Sequence, residues 1–310
     1  LAPRPPRPFQ IMVKPIGPVC NLRCGYCYYL EKQSLYPSSS SFRMSDDVLE
    51  RFVREYLAAL DMPEIVFAWQ GGEPLLMGIP FFERVVALQQ QYGAGKRISN
   101  ALQTNCTLLD DDWCRFFKQH GFLIGASIDG PPELHNRYRL YPDGTPSFDA
   151  VVRGVKLLLQ HEVDFNALTV ISSANQRQPL EVYHFLKELG VTFMQFIPLV
   201  ERMPDDEART LGLDLAEPPA PGRAPARPRV TEWSVNARVF GEFLIRIFDE
   251  WVRQDVGRVF VQYFDVALGS WAGQGGALCV FAERCGTALV LEHNGDLYAC
   301  DHYVYPDQRL

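Results

Sequence analysis

The sequence lacks any apolar run approaching the roughly 18 residues that a membrane-spanning helix needs, which argues against a membrane protein. It is short of positive charge as well. Its 30 Lys and Arg face 37 Asp and Glu, for a net charge of -7. No chain-wide basic field therefore attracts nucleic acid or an anionic membrane, and neither is expected as a partner. The first eight residues, Leu1 to Pro8, are too proline-rich and polar for a signal-peptide core. An initiator Met is missing and no terminal element is evident before Leu310, both of which suggest a fragment of a longer protein. What is present is a 310-residue chain with 47% hydrophobic content, enough for a sizeable core in one large or two smaller domains. Its eight cysteines fall as 20/24/27 and 279/285/300, with 106 and 114 apart. Such grouping suits metal binding in a reducing compartment, hence a cytoplasmic protein.

Six apolar runs, at 9–14, 64–69, 98–103, 122–128, 164–171 and 193–199, alternate with helical patterns at 45–60, 80–92, 110–120, 147–161 and 178–189. The runs are mostly continuous rather than alternating, as strands buried on both faces should be. Ser45 and Asp110 suit helix N-caps, and Gly121 and Gly190 follow helix ends. The β-α repeat predicts an α/β fold with a parallel sheet and right-handed crossovers. Six units are too few for a closed eightfold barrel, so the expectation is an open partial barrel.

Residues 201–231 break the pattern. The run Glu217 to Pro225 holds four prolines and reads as a flexible loop or linker. An amphipathic helix, about 234–254, follows. Two short apolar runs flank Asn294-Gly295, a hairpin signature, and would begin a second, cysteine-bearing module. The expected division is thus 1–231, a connecting helical region at 232–278, and 279–310.

The densest chemistry is Cys20-Asn21-Leu22-Arg23-Cys24-Gly25-Tyr26-Cys27, on the loop between the first strand and a helix-like start at Tyr28. Loops at the C-terminal ends of parallel strands are where α/β folds place their sites. Three thiolates on one loop can hold three irons of a [4Fe-4S] cluster and leave the fourth open. A structural zinc site usually takes four ligands, often from two Cys-x2-Cys pairs, and only one pair lies here. A disulfide is disfavoured by the crowding and by the absence of export signals.

These residues resemble the signature of the radical SAM superfamily, Cys-x3-Cys-x-aromatic-Cys, carried by Cys20, Cys24, Tyr26 and Cys27. The resemblance implies a partial (β/α)6 barrel whose open iron is chelated by S-adenosylmethionine (AdoMet). Three further strand ends add to the likeness. Gln70-Gly71-Gly72-Glu73-Pro74 is similar to the superfamily's Gly-Gly-Glu-Pro motif, implying that Gly72 contacts the methionine part and that Glu73 lies near its amino group. Gln103-Thr104-Asn105-Cys106 resembles Gln-Thr-Asn-Gly with a cysteine for the glycine, which argues against a left-handed turn there. Ser127-Ile128-Asp129-Gly130-Pro131 and Arg139 imply further AdoMet contacts through Ser127 and Arg139, and Val200 would line the adenine side. Taken singly, these stretches read as a tight turn, a capped strand end and a solvated basic face.

Cys279, Cys285 and Cys300 look like the start of a SPASM-type auxiliary-cluster domain, with a small zinc ribbon as the plainer reading. Together the motifs narrow the resemblance to the anaerobic sulfatase-maturating enzymes, in which an aspartate after the third such cysteine accepts a proton. Asp301 occupies that position. The likeness implies oxidation of a Cys or Ser in a sulfatase polypeptide, within a Cys/Ser-x-Pro-x-Arg motif, to formylglycine. It implies auxiliary [4Fe-4S] clusters, with a ligand set incomplete in this chain, and an electron donor such as a ferredoxin or flavodoxin. Another SPASM-type peptide-modifying enzyme, for example one forming thioethers, and a non-catalytic iron–sulfur electron carrier are the alternatives.

Overall fold

A computed structural model describes residues 9–219, 229–274, 278–279 and 287–310. Six strands, β1 (Gln10–Lys14), β2 (Glu64–Trp69), β3 (Arg97–Thr104), β4 (Phe122–Ser127), β5 (Phe165–Ile171) and β6 (Phe193–Pro198), lie side by side in chain order. Every pairing among them is parallel. Val13 lies opposite Trp69, Trp69 opposite Leu102, and Ser127 opposite Leu168, so the C-terminal ends gather along one edge of the sheet. The crossovers carry α1 (Asp46–Ala59), α2 (Ile79–Tyr92), α3 (Asp111–His120), the single turn α4 (Pro132–His135), α5 (Phe148–Gln160) and α6 (Pro179–Glu188). These bounds match the sequence pattern to within about two residues, and the caps match too. Ser45 Oγ accepts from Val48 N–H, Asp110 accepts from Trp113 N–H, and Gly121 is left-handed at φ 62°.

The core forms between the sheet and these helices. Leu49, Phe52, Val53, Tyr56 and Leu57 recur at helical spacing on α1 and are buried. Each such side chain stabilises the fold by about 1.5–3 kcal/mol. Trp69 meets Phe52, Phe81 and Phe82 edge-on at ring-centroid distances of 6.4, 6.2 and 5.8 Å. Its indole N–H donates to Asn100 Oδ1, which also accepts from the Gln89 amide.

Three features depart from the sequence expectation. The strands are not uniformly buried. In β2 and β6 fully buried positions alternate with half-buried or exposed ones, because only the helix-facing side is covered. The hairpin forms as β8 (Ala288–Glu292) and β9 (Leu297–Tyr298), yet β8 pairs in parallel with β1 and so extends the same sheet. The order becomes β7-β6-β5-β4-β3-β2-β1-β8-β9, where β7 is Phe260–Val261. Among the described residues β7 and β9 are its two edges, so the sheet is open.

The described part of the expected linker is also folded. It contains α7 (Asp206–Thr210), and Arg202 bridges both Ala216 and Val230. Ala208, Leu213 and Ala216 pack with Tyr305. Residues 220–228, most of the proline run, lie outside the described residues. The expected amphipathic helix is α8 (Ala237–Gln254), and α9 (Gln262–Trp271) follows it.

Candidate active site

The cysteine loop leaves β1 at Pro15 and is clamped from two sides. Arg23 N–H donates to Leu140 O at 2.8 Å and Gly25 N–H to Tyr138 O at 2.9 Å. Opposite, Gly72 N–H donates to Gly17 O and Glu73 N–H to Val19 O, at 2.8 and 2.9 Å. A Cβ on Gly72 would stand 1.9 Å from the Val19 carbonyl oxygen, so only glycine permits this approach. The second clamp is therefore built by the motif after β2.

Held this way, Cys20, Cys24 and Cys27 all line a cavity of about 1350 Å3. All three are half-buried free thiols. Burial pushes Cys20 and Cys24 up to about 12 and raises Cys27 as well. Backbone N–H groups already point at the sulfurs, from Leu22 to Cys20 and from Tyr29 and Leu30 to Cys27. Such bonds stabilise cluster-ligating sulfur. Among the described residues no three His, Cys, Asp or Glu side chains draw in around a single metal ion. Three free thiols stand on one clamped loop, with backbone N–H groups on two of the sulfurs, as a cluster held at three of its irons requires. The donor set therefore fits a three-cysteine cluster site.

Tyr26, between the second and third cysteines, also lines the cavity. Its hydroxyl donates to Asp129 Oδ2 at 2.5 Å, and Arg139 donates to both Asp129 oxygens at 2.8 and 3.1 Å. Burial would raise the Asp129 carboxyl, but the Arg139 guanidinium outweighs it and holds Asp129 below the usual carboxylate range. His135 accepts from Asp129 N–H through Nδ1 and meets Ser147 Oγ through Nε2. The Ser147 hydroxyl donates to Arg139 O, so His135 carries its proton on Nε2.

Four other residues expected to contact the cofactor, Gly72, Glu73, Ser127 and Arg139, do not line this cavity. Ser127 is buried, with its backbone N–H on the Cys106 thiol. Val200 lines a separate cavity of about 230 Å3 with Lys32, Glu201 and Tyr305. Cys106 corrects the expectation for its turn: it keeps the left-handed backbone, φ 64°, that a glycine would take. It is fully buried and faces the core.

At the β1–β8 junction the inner face carries a polar group that the sequence reading did not single out. Lys14, 1% exposed, donates to Gln70 Oε1 at 3.0 Å, and the Gln70 amide donates to Gln103 Oε1. Lys14 Nζ also lies 4.0 Å from Asp301 Oδ2, which accepts from the Tyr28 hydroxyl at 2.6 Å. Burial would push the Asp301 carboxyl up, but Lys14, His302 and Tyr28 together hold it below the usual range. Burial lowers Lys14 from its ordinary value, against the attraction of Asp301, Glu292, Cys27 and Cys300 around it. The Cys300 thiol donates to Asp301 Oδ1 at 3.4 Å. Cys279 is exposed, and Cys285 lies outside the described residues.

A family model described as the radical SAM superfamily matches residues 15–211. A serine-type anaerobic sulfatase-maturating enzyme of Bacteroides thetaiotaomicron is 44% identical over 98% of this chain and 72% of its own length. A cysteine-type enzyme of Clostridium perfringens is 32% identical over 98% of the chain and 77% of its own. The solved structure of native anSMEcpe with bound AdoMet superposes with a TM-score of 0.82 at 32% identity, covering 98% of this chain and 77% of that one. The same protein with AdoMet and the Cp18Cys peptide gives 0.78, with the same identity and coverage. This chain is a radical SAM protein of the anaerobic sulfatase-maturating family.

In a radical SAM protein the loop that carries the cluster must hold three thiolates steady while one iron faces a cavity. In this chain the two clamps and the N–H···S bonds hold the three-cysteine loop in place. The β1–β8 pairing places the hairpin that leads into Cys300 on the same sheet and so brings Asp301 next to Lys14. Lys14 ends β1, Gln70 follows the end of β2 and Gln103 is next to last in β3, each one position from the buried Val13, Trp69 and Leu102. Period-two alternation applied to those strand ends is the signal that finds them.

Proposed function

We propose that this protein oxidises a Ser or Cys side chain of a sulfatase polypeptide to formylglycine. The observation that carries the reading is Asp301, held ionised on the inner face between Tyr28 and Lys14 and beside the cysteine loop. Cys20, Cys24 and Cys27 would hold a [4Fe-4S] cluster with AdoMet on its open iron. When bound, that pair supplies a carbon radical able to abstract a hydrogen atom from the Cβ of the target side chain. The conversion of CH2–XH to CH=X must also lose one proton and one electron. Asp301 accepts the proton from the hydroxyl or thiol. Cys279, Cys285 and Cys300 would be ligands of an auxiliary [4Fe-4S] cluster, which when bound would supply an acceptor for the electron. A thioaldehyde from a cysteine target is then hydrolysed to the aldehyde.

The large cavity has room for a peptide segment as well as the cofactor, and a ferredoxin or flavodoxin is the expected reductant. Half-buried free thiols suit a reducing cytoplasm. The test uses the full-length protein, reconstituted anaerobically with iron and sulfide and given AdoMet, a reductant and matched peptides bearing Ser-x-Pro-x-Arg or Cys-x-Pro-x-Arg. Formylglycine detected by mass spectrometry on either peptide supports the reading. If 5′-deoxyadenosine accumulates while both peptides stay unmodified, the radical chemistry stands and the substrate assignment falls.

A further inference from the structure

We propose that Glu73 is a positioning residue that holds Cys20 in its cluster-binding place, acting through Asn105 and Asn21. The Glu73 side chain is 1% exposed and its carboxylate is already engaged within the protein. Oε1 accepts from Leu75 N–H at 3.0 Å and from the Thr104 hydroxyl at 2.8 Å, and Oε2 accepts from Asn105 N–H at 2.8 Å. These bonds tie the turn after β2 to the end of β3.

The brace continues to the cysteine loop. Asn105 Nδ2 donates to Asn21 Oδ1 at 2.8 Å and reaches Cys20 Sγ at 3.7 Å. Asn21 Nδ2 donates to Thr107 Oγ1 at 2.8 Å, and that hydroxyl donates to Asn105 Oδ1 at 2.7 Å, closing a ring. On the other side, Glu73 N–H donates to Val19 O. Both neighbours of Cys20 are thus fixed by Glu73 or by what Glu73 fixes. The Glu73 carboxylate is thus committed to three donors within the protein. Burial pushes its carboxyl up to about 7, against the three hydrogen bonds. An isosteric amide keeps an acceptor for Leu75 and Thr104 but turns N–H groups toward Asn105 N–H, so the bond to Asn105 fails specifically.

The inference rests on the cluster role of Cys20 and is independent of the substrate. The experiment compares full-length wild-type protein, Glu73→Gln and Asn105→Ala after anaerobic reconstitution. It measures iron and sulfide per chain, the rate of iron loss to a chelator, AdoMet affinity of the cluster-loaded fraction, and thermal unfolding of the iron-free chain. Outer-shell partners of metal ligands are worth about 10- to 100-fold in metal affinity. We expect iron loss to accelerate by that order in both variants, with AdoMet affinity of the loaded fraction within about twofold. Asn105→Ala keeps the backbone bond to Glu73, so any drop in the unfolding temperature of its iron-free chain should be smaller than in Glu73→Gln while its cluster is as labile. The double variant should lose iron no faster than the worse single one, since both act through one path. Wild-type iron retention in Glu73→Gln together with AdoMet binding weakened about tenfold or more would assign Glu73 to the cofactor's amino group and overturn the proposal. So would lowered unfolding temperatures in both variants with unchanged iron loss.

Discussion

The carbonyl oxygen of Cys106 stands 2.2 Å from where a Cβ on Gly154 would be, so α5 lies flush against the turn after β3. Glycine inside a helix normally costs about 1 kcal/mol relative to alanine. At Gly154 that preference reverses. We expect Gly154→Ala to destabilise the iron-free chain by about 1–3 kcal/mol through overpacking, read from the urea midpoint. A gain in stability would show that the α5 contact is looser than the structure has it.

His135 makes the fold sensitive to acid. It is fully buried, and burial lowers it from the ordinary 6.5 to about 4, against the attraction of Asp129. A histidine whose folded value lies below its unfolded one stays neutral in the native state while the unfolded chain takes up a proton. Stability from this source is present above about 6.5 and is lost as pH falls toward 4, by roughly 3 kcal/mol in full. His135→Gln should be less stable than wild type at pH 7 but should lose less between pH 7 and pH 5. Equal losses in both proteins would remove His135 as the cause.

Much of this architecture can be read from the chain because local and global signals agree. Ser45 and Asp110 cap the helices that their spacing indicates, and the six apolar runs become six parallel strands. The hairpin was also legible from Asn294-Gly295, but its place was not. Nothing in Ala288–Glu292 names β1 as its partner, since parallel pairing between distant segments leaves no local trace. Cys106 misled for a related reason. A Cβ in the left-handed region costs a little over 1 kcal/mol, which complete burial of the side chain offsets. The candidate cluster cysteines announce themselves by spacing, whereas Lys14 looks like any polar residue ending a strand until β8 brings Asp301 beside it.

Lys14 should set the acid limit of the reaction. Its ammonium helps hold Asp301 ionised, and the base role proposed for Asp301 requires that form. Lys14→Met keeps the length of the side chain and removes the charge, so the Asp301 carboxyl should rise. The rate of peptide oxidation would then begin to fall at a higher pH than in wild type, because a carboxylate with a raised value is protonated sooner as pH drops. An opposite charge about 4 Å away is worth on the order of 4 kcal/mol at an effective dielectric of about 20, less where solvent reaches the pair, so a tenfold loss near pH 6 is the expected scale. Parallel pH profiles of formylglycine formation and 5′-deoxyadenosine release test this. An unshifted acid limb would separate Lys14 from Asp301.

Asp301→Asn separates the base from the radical generator. The asparagine Oδ1 can still accept from the Tyr28 hydroxyl, so the local geometry should persist while proton acceptance is lost. General-base catalysis contributes about 10²- to 10⁴-fold, and formylglycine formation should fall by that factor. Cleavage of AdoMet should continue, since Cys20, Cys24 and Cys27 and their clamps are untouched, and 5′-deoxyadenosine should accumulate without matching product. Tyr28→Phe removes one hydrogen bond from Asp301 and leaves the carboxylate in place, so its loss should be far smaller and should follow the raised carboxyl with pH. If Tyr28→Phe were as damaging as Asp301→Asn at every pH, the tyrosine itself would be handling the proton. If Asp301→Asn retained wild-type product yield, the base would have to be sought elsewhere on the inner face.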